Sequence, residues 1–235
     1  WKRKDPIINL HLFKNRDFAM STVILFVIGF GLYGSTVLLP LFLQTLMGYN
    51  SLNAGLVMSP GGIVTLALMP VVGFLTGKIH AKWLVCIGLT IGAYGLFGMS
   101  RFDLNISFNH AILSRMIISG SLAFLFVPIN TVAYARLSRQ YFDQAAGLIN
   151  LSRNLGASFG ISFVTTLLAR RMQFHQNILS SHTNEYNPLF AGMLDTLKAG
   201  LISRGESAYT AALHSKAIVY RIVQQQAMTL SYIDA

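Results

Sequence analysis

From Phe18 to Leu46 the chain runs 29 residues without a charged side chain. A hydrocarbon core of roughly 30 Å is crossed by about 20 residues of α-helix. Backbone amides in lipid must also find their partners within the same segment. A run this long and apolar therefore predicts a membrane-spanning helix. Four more qualify: Ala54 to Gly77, Trp83 to Met99, Ala111 to Tyr134 and Ala146 to Ala169. The predicted fold is all-α, a polytopic transmembrane helix bundle in contact with the lipid bilayer. Charge placement agrees. Only 11% of the residues are charged, and the eight acids (Asp5, Asp17, Asp103, Asp143, Glu185, Asp195, Glu206, Asp234) lie outside the apolar runs or at the chain end. A soluble domain carries about a quarter charged residues.

The connections MGYNSLN, KIHAK, SRFDLNISFNH and ARLSRQYFDQ are short, which predicts antiparallel neighbours. Residues 1–17 read as a cytoplasmic linker, 18–169 as a five-span bundle and 170–217 as a long loop. Residues 218–235 read as the start of a last span, with its apolar part beginning near Ala227. The chain opens on Trp1 and has no signal peptide, so a piece of a longer polypeptide is expected. Inside the long loop, PLFAGMLDTLKAGLIS aligns Leu189, Phe190, Met193, Leu194, Leu197 and Leu201 on one helical face. That face is expected to cover its own protein, with a partner as the alternative.

The formal net charge is +10, which in a soluble chain suggests nucleic acid. Here the basic residues flank apolar runs, so no nucleic-acid partner is expected. Lys2, Arg3, Lys4, Lys14, Arg16, Lys78, Lys82, Arg136 and Arg139 fall on one side, which predicts that side to be cytoplasmic. The short loops of the other side hold only Arg101, although its long loop adds Arg170, Arg171, Lys198, Arg204, Lys216 and Arg221. Cys86 is the single cysteine and the six histidines are scattered. No metal spacing, cofactor fingerprint or catalytic constellation is present in the sequence, so no metal, cofactor or enzymatic role is expected.

Four of the six prolines, Pro40, Pro60, Pro70 and Pro128, sit inside predicted spans. Each removes a backbone donor and is expected to bend its helix. Glycines recur at close-packing intervals: Gly73 with Gly77, Gly88 with Gly92 and Gly95, and Ser152 with Gly156 and Gly160. Such small-residue faces let helix backbones approach within a membrane.

Polar residues share other faces. In the fifth span Asn150, Arg153 and Asn154 lie together, about a quarter-turn from the glycine face. Arg153 either points into the bundle or snorkels to the headgroups. In the first span Phe26, Tyr33 and Gln44 align with Gly29 and Pro40; in the fourth, Arg115, Ser119, Phe126 and Asn130 form a stripe. Arg115, near the outer end, is expected to snorkel. Phe26, Tyr33, Gln44, Phe126, Asn130, Asn150, Arg153 and Asn154 together suggest a cavity for amphipathic or weakly charged organic molecules. A helix-to-helix hydrogen bond remains the alternative for Tyr33, Gln44 and Asn130.

LPLFLQTLMGYNSLNAGLVMSPGG (Leu39 to Gly62), PVVGFLTGK (Pro70 to Lys78) and NLSRNLGASFG (Asn150 to Gly160) resemble the EmrB/QacA type of drug:proton antiporter. That group is the fourteen-span branch of the major facilitator superfamily. The opening DPIINLHLFKNRDF resembles the cytoplasmic lead-in to its ninth span, which would make this chain most of a carboxy-terminal half. GFLTGK resembles a degenerate cytoplasmic gating loop in which Thr76 and Gly77 replace the acidic residue, so no salt-bridge latch transfers to Lys78.

The resemblance implies a multi-pass protein of a bacterial inner membrane, with 170–217 as a periplasmic loop. It implies export of small-molecule drugs against protons, with the amino-terminal half of the same polypeptide as a partner. It also implies a periplasmic adaptor and an outer-membrane channel. The five runs contain no carboxylate to carry the proton, and Asp234, the local candidate, reads better as an interfacial structural residue. The rival readings are a facilitator-fold transporter of another metabolite and an uncoupled membrane scaffold or channel.

Overall fold

The computed structural model describes residues 10–181, 183 and 187–235, and all regular structure among them is helical. A 3-10 turn at Leu10–Lys14 precedes α1 (Arg16–Thr45), α2 (Ser51–Thr76), α3 (Ala81–Met99) and α4 (Phe108–Tyr134). After them come α5 (Phe142–Ser181), α6 (Pro188–Ser203) and α7 (Ala208–Asp234). The chain divides into two compact units, residues 1–164 and 165–235.

Helices begin where a short polar side chain can accept from their first free amides. Asn15 accepts from the Asp17 and Phe18 amides, Asn50 from Asn53, Ser107 from His110 and Ser207 from Thr210. These caps lie outside the apolar runs, so α1, α2 and α4 start two or three residues before the expected boundary; α3 starts two residues early without a side-chain cap. After α1, Gly48 turns the chain at φ 70°, a left-handed conformation that a side chain would strain.

Helices α1 to α4 are each long and apolar enough to cross a membrane. Helix α5 is long enough but less apolar, because Asn150, Ser152, Arg153 and Asn154 interrupt its first half. Within the first unit α4 packs against α1, α2 and α3 and so occupies the centre. Phe18, Leu25 and Ile28 of α1, Leu125, Ile129 and Ala133 of α4, and Ala145, Leu148 and Ile149 of α5 form one buried cluster. It lies at the end that carries Asp17 and Arg136, whose side chains pair at 3.1 Å.

Small residues set the helix spacings. Added Cβ atoms on α3 would lie 2.9 Å from the Phe124 Cβ at Gly88, and 3.1 Å from the Ser121 Oγ at Gly92. At Gly95 the Ile117 Cγ2 would be 3.2 Å away. The tightest seam joins α1 and α5. Gly156 lies against the Phe26 carbonyl and Gly160 against the Phe30 carbonyl, closer than any side-chain carbon allows. A Cβ at Gly29 would come within 2.6 Å of the Arg153 carbonyl oxygen, and Ser152 Oγ donates to the Thr22 carbonyl at 3.1 Å. Lipid removes the hydrophobic drive between helices, so this close dispersion contact must supply much of the cohesion.

Gly73 and Gly77 depart from expectation. A Cβ at Gly73 would meet nothing within 4 Å, and one at Gly77 only the Phe74 carbonyl of its own last turn at 3.6 Å. The spacing is right, but no helix of this chain lies opposite. Pro40, Pro60, Pro70 and Pro128 all fall inside helices that continue through them.

In the second unit the segment expected as a loop is largely helical. Helix α5 continues to Ser181, α6 fills 188–203, and α7 begins at Ala208 instead of near residue 218. The Ser207 cap and the alanine-rich turn that follows account for the early start. Helix α6 packs on α7, leaving Phe190, Leu194, Leu197 and Leu201 half-buried but Leu189 and Met193 exposed. Asp234 Oδ2 accepts from His175 Nε2 at 2.7 Å and lies 3.5 Å from Arg171 Nε. Tyr220 Oη accepts from both Gln176 and Gln224.

Candidate functional site

Arg153 of α5 meets α4 about three turns inside the helix. Arg153 Nη2 donates to Asn150 Oδ1 at 2.7 Å, a bond between residues three apart on one face. The guanidinium carbon stands 5.7 Å from the Phe126 ring centroid on α4. Arg153 Nε is buried and has no hydrogen-bond partner among the described residues. On α4, Asn130 Nδ2 donates back to the Phe126 carbonyl at 2.7 Å. Asn150, Arg153 and Phe126 therefore form one local group, with the guanidinium turned toward α4; Asn150 is exposed, and Asn130, one turn along α4, bonds to its own helix.

The other expected residues are distributed differently. Phe26 is half-buried on α1, its ring 6.2 Å from that of Phe159, and Phe30 pairs with Phe163 at 5.5 Å. Tyr33, Gln44 and Asn154 are exposed and lie outside the Arg153 group. Sequence spacing aligned them on faces, but the neighbouring helices do not close over those faces in this chain.

Arg115 corrects the sequence reading. Instead of reaching outward it turns toward α1, where Nη1 donates to Thr36 Oγ1 at 3.3 Å. Its Nε is buried without a hydrogen-bond partner among the described residues. Gly61 on α2 makes room for it: a Cβ there would lie 3.2 Å from Arg115 Cγ and would strike Ser119 Oγ. Thr65 Oγ1 donates to the Ser119 carbonyl at 2.7 Å, tying α2 to α4 beside the arginine. The sequence signal was a cation among apolar residues, but its direction depended on Gly61 of another helix and on Ser119 beside it.

The Arg153 group offers a cation with unused donor capacity, an aromatic face and the Asn150 amide. An aromatic ring and a guanidinium hold planar or amphipathic organic molecules by stacking and cation–π attraction. No acidic residue of the first unit lies deeper than the first turn of α1 or α5 among the described residues, so no carboxylate of these helices competes for the cations.

The family model for the Major Facilitator Superfamily matches residues 2–161. The probable multidrug resistance protein EmrY of Escherichia coli is 32% identical over 188 residues, which is 80% of this chain and 37% of that protein. The multidrug export protein EmrB of Escherichia coli is 28% identical over 215 residues, 90% of this chain and 42% of that protein. The colistin resistance protein EmrB of Acinetobacter baumannii is 27% identical over 229 residues, 97% of this chain and 44% of that protein. The chain thus spans less than half the length of these relatives.

Proposed function

The chain belongs to the Major Facilitator Superfamily, and on that premise we propose that it is the carboxy-terminal half of a proton-coupled multidrug exporter. Membership makes it a multi-pass membrane protein and a transporter. In the proposal, residues 18–169 supply five spans, including Ala146 to Ala169 of α5. Residues 1–17 are cytoplasmic, 170–217 lie on the outer side, and 218–235 enter a last span. The membrane is a bacterial inner membrane. The two halves of the full polypeptide rock around a site near the midplane and expose it alternately to each side.

The observation that carries the reading is the Arg153 group. A guanidinium inside a lipid-spanning bundle is costly unless it serves a pathway or pairs with another group. Here it faces Phe126 and Asn150 in a unit without a deep carboxylate. Those features suit a wall that receives amphipathic organic compounds. They do not suit a proton switch, which needs an acid with a burial-raised pKa. The proton carrier is accordingly assigned to the remainder of the transporter. The names of the relatives, multidrug resistance and multidrug export, agree with drugs as substrates. A periplasmic adaptor and an outer-membrane channel are further proposed partners.

The test is export of a fluorescent amphipathic dye from cells carrying the intact transporter, with and without collapse of the proton gradient. Export should stop when the gradient is removed; export that persists refutes antiport. Arg153→Leu should slow export of anionic compounds several-fold at unchanged protein abundance. Unchanged export would remove Arg153 from the pathway.

A further inference from the structure

Arg115 is not part of the Arg153 group. It sits about 10 Å along α4 from its first residue, while Arg153 approaches α4 at Phe126, about 16 Å further on. We propose that Arg115, with Thr36 Oγ1 beside it, is a carboxylate-binding site between α1, α2 and α4.

Three observations support it. The side chain is turned inward and anchored by a single hydrogen bond among the described residues, Nη1 to Thr36 Oγ1 at 3.3 Å, a long contact for a guanidinium donor. Its Nε is sealed from solvent with no acceptor among the described residues. The space it occupies is built from small residues: Gly61 admits its Cγ, Ser119 is buried, and Thr65 spends its hydroxyl on the Ser119 carbonyl. A guanidinium has five donors in a planar fork and pairs with carboxylates through two parallel bonds. A neutral hydroxyl leaves the sealed Nε–H unpaired in a low-dielectric setting, where a missing partner is costly. The α1 to α4 runs lack a carboxylate beyond Asp17 in the first turn of α1, which already pairs with Arg136.

The carboxylate has two chemical sources, a transported organic acid or an Asp or Glu elsewhere in the intact transporter. The inference goes beyond the export reading and does not require it, because the test measures binding and stability, not transport. A dansyl-labelled dodecanoic acid and its primary amide are titrated into the purified intact transporter, and thermal midpoints are recorded. If a bound acid is the partner, the carboxylate binds about tenfold tighter than the amide. Arg115→Gln then erases that preference and leaves amide affinity unchanged, while Arg115→Lys retains part of it. If an internal acid is the partner, Arg115→Gln lowers the midpoint without altering the preference. A second substitution of one Asp to Asn or Glu to Gln elsewhere then restores it. Should Arg115→Gln fail to fold, Thr36→Val, which keeps the shape and removes the acceptor, serves instead; it is expected to alter the preference or the midpoint in the same sense. The inference is overturned if carboxylate preference and midpoint are both unchanged in Arg115→Gln, or in Thr36→Val where that variant replaces it. It is also overturned if the lost midpoint is restored by no acid neutralisation.

Discussion

Replacing Gly160 by alanine tests the α1–α5 seam directly. The added Cβ would fall on the Phe30 carbonyl oxygen, and would stand 2.7 Å from its carbon and 2.8 Å from the Phe30 Cα. Optimal carbon–carbon separation is about 3.5–4.0 Å, so the two helices must part locally by roughly 1 Å. Overpacking of this kind costs about 1–3 kcal/mol. Alanine returns up to about 1 kcal/mol of helix propensity. The net expectation is a loss of about 1–2 kcal/mol, read as a fall of roughly 3–6 °C in the unfolding midpoint of the detergent-solubilised protein. Gly156→Ala should behave alike, since its Cβ meets the Phe26 carbonyl. The double variant should lose less than the sum, because one parting of the helices accommodates both methyl groups. Gly73→Ala is the matched control: nothing lies within 4 Å of its Cβ, so the midpoint should hold or rise. A Gly160→Ala midpoint at or above that of the parent, or an equal fall for Gly73→Ala, refutes the reasoning.

Ser152→Ala removes the donor to the Thr22 carbonyl and should cost about 0.6 kcal/mol, as interhelical bonds in membranes typically do, measured in the same midpoint assay. Asp17→Asn breaks a pair whose arginine is largely exposed, so the midpoint should move by less than the equivalent of about 1 kcal/mol, and the shift should shrink as salt is added. Gly48→Val forces a β-branched side chain to φ 70° and should lower the midpoint by the equivalent of about 1–3 kcal/mol. Asp234→Asn weakens the contacts to His175 and Arg171, and hydrogen exchange should quicken in the last turns of α7 while α1 to α4 are unaffected.

The spans were legible because lipid imposes a length and a polarity that can be read one segment at a time, as the uncharged run from Phe18 to Leu46 illustrates. Lateral packing is a relation between segments, and there the reading was partial. Gly73 and Gly77 have the same spacing as Gly156 and Gly160, yet only the second pair faces a neighbouring backbone. Periodicity identifies a small face; it does not supply its partner. Helix α6 was legible in the apolar face from Leu189 to Leu201, but the extension of α5 to Ser181 and the start of α7 at Ala208 were obscured for a different reason. There the apolar signal fades, and the Ser207 cap with the alanines after it carries the helix start instead. Arg115 shows the same limit in one side chain. Its long stem permits either direction, and the choice rested on Gly61 and Ser119, of which Gly61 lies on another helix.

The seam and the polar group are one device. Gly29 lets the Arg153 carbonyl press against α1, while Gly156, one turn further along α5, admits the Phe26 carbonyl. Ser152, the residue before Arg153, is bonded to α1 as well. The backbone carrying the arginine is thus clamped on one side by contacts too tight to slide. The side chain leaves from another face of the same turn and reaches Phe126 on α4. A flexible cation on a loosely packed helix would spread over many rotamers and lose entropy on meeting a ligand. If the Arg153 group receives a ligand as proposed, clamping the main chain reduces the part of that loss that belongs to the backbone and holds the guanidinium over the ring beforehand. The small residues of Asn150 to Gly160 therefore do more than bring two helices together. They fix the register at which the charge is presented, which is why the packing face and the polar face must lie on the same short stretch of α5.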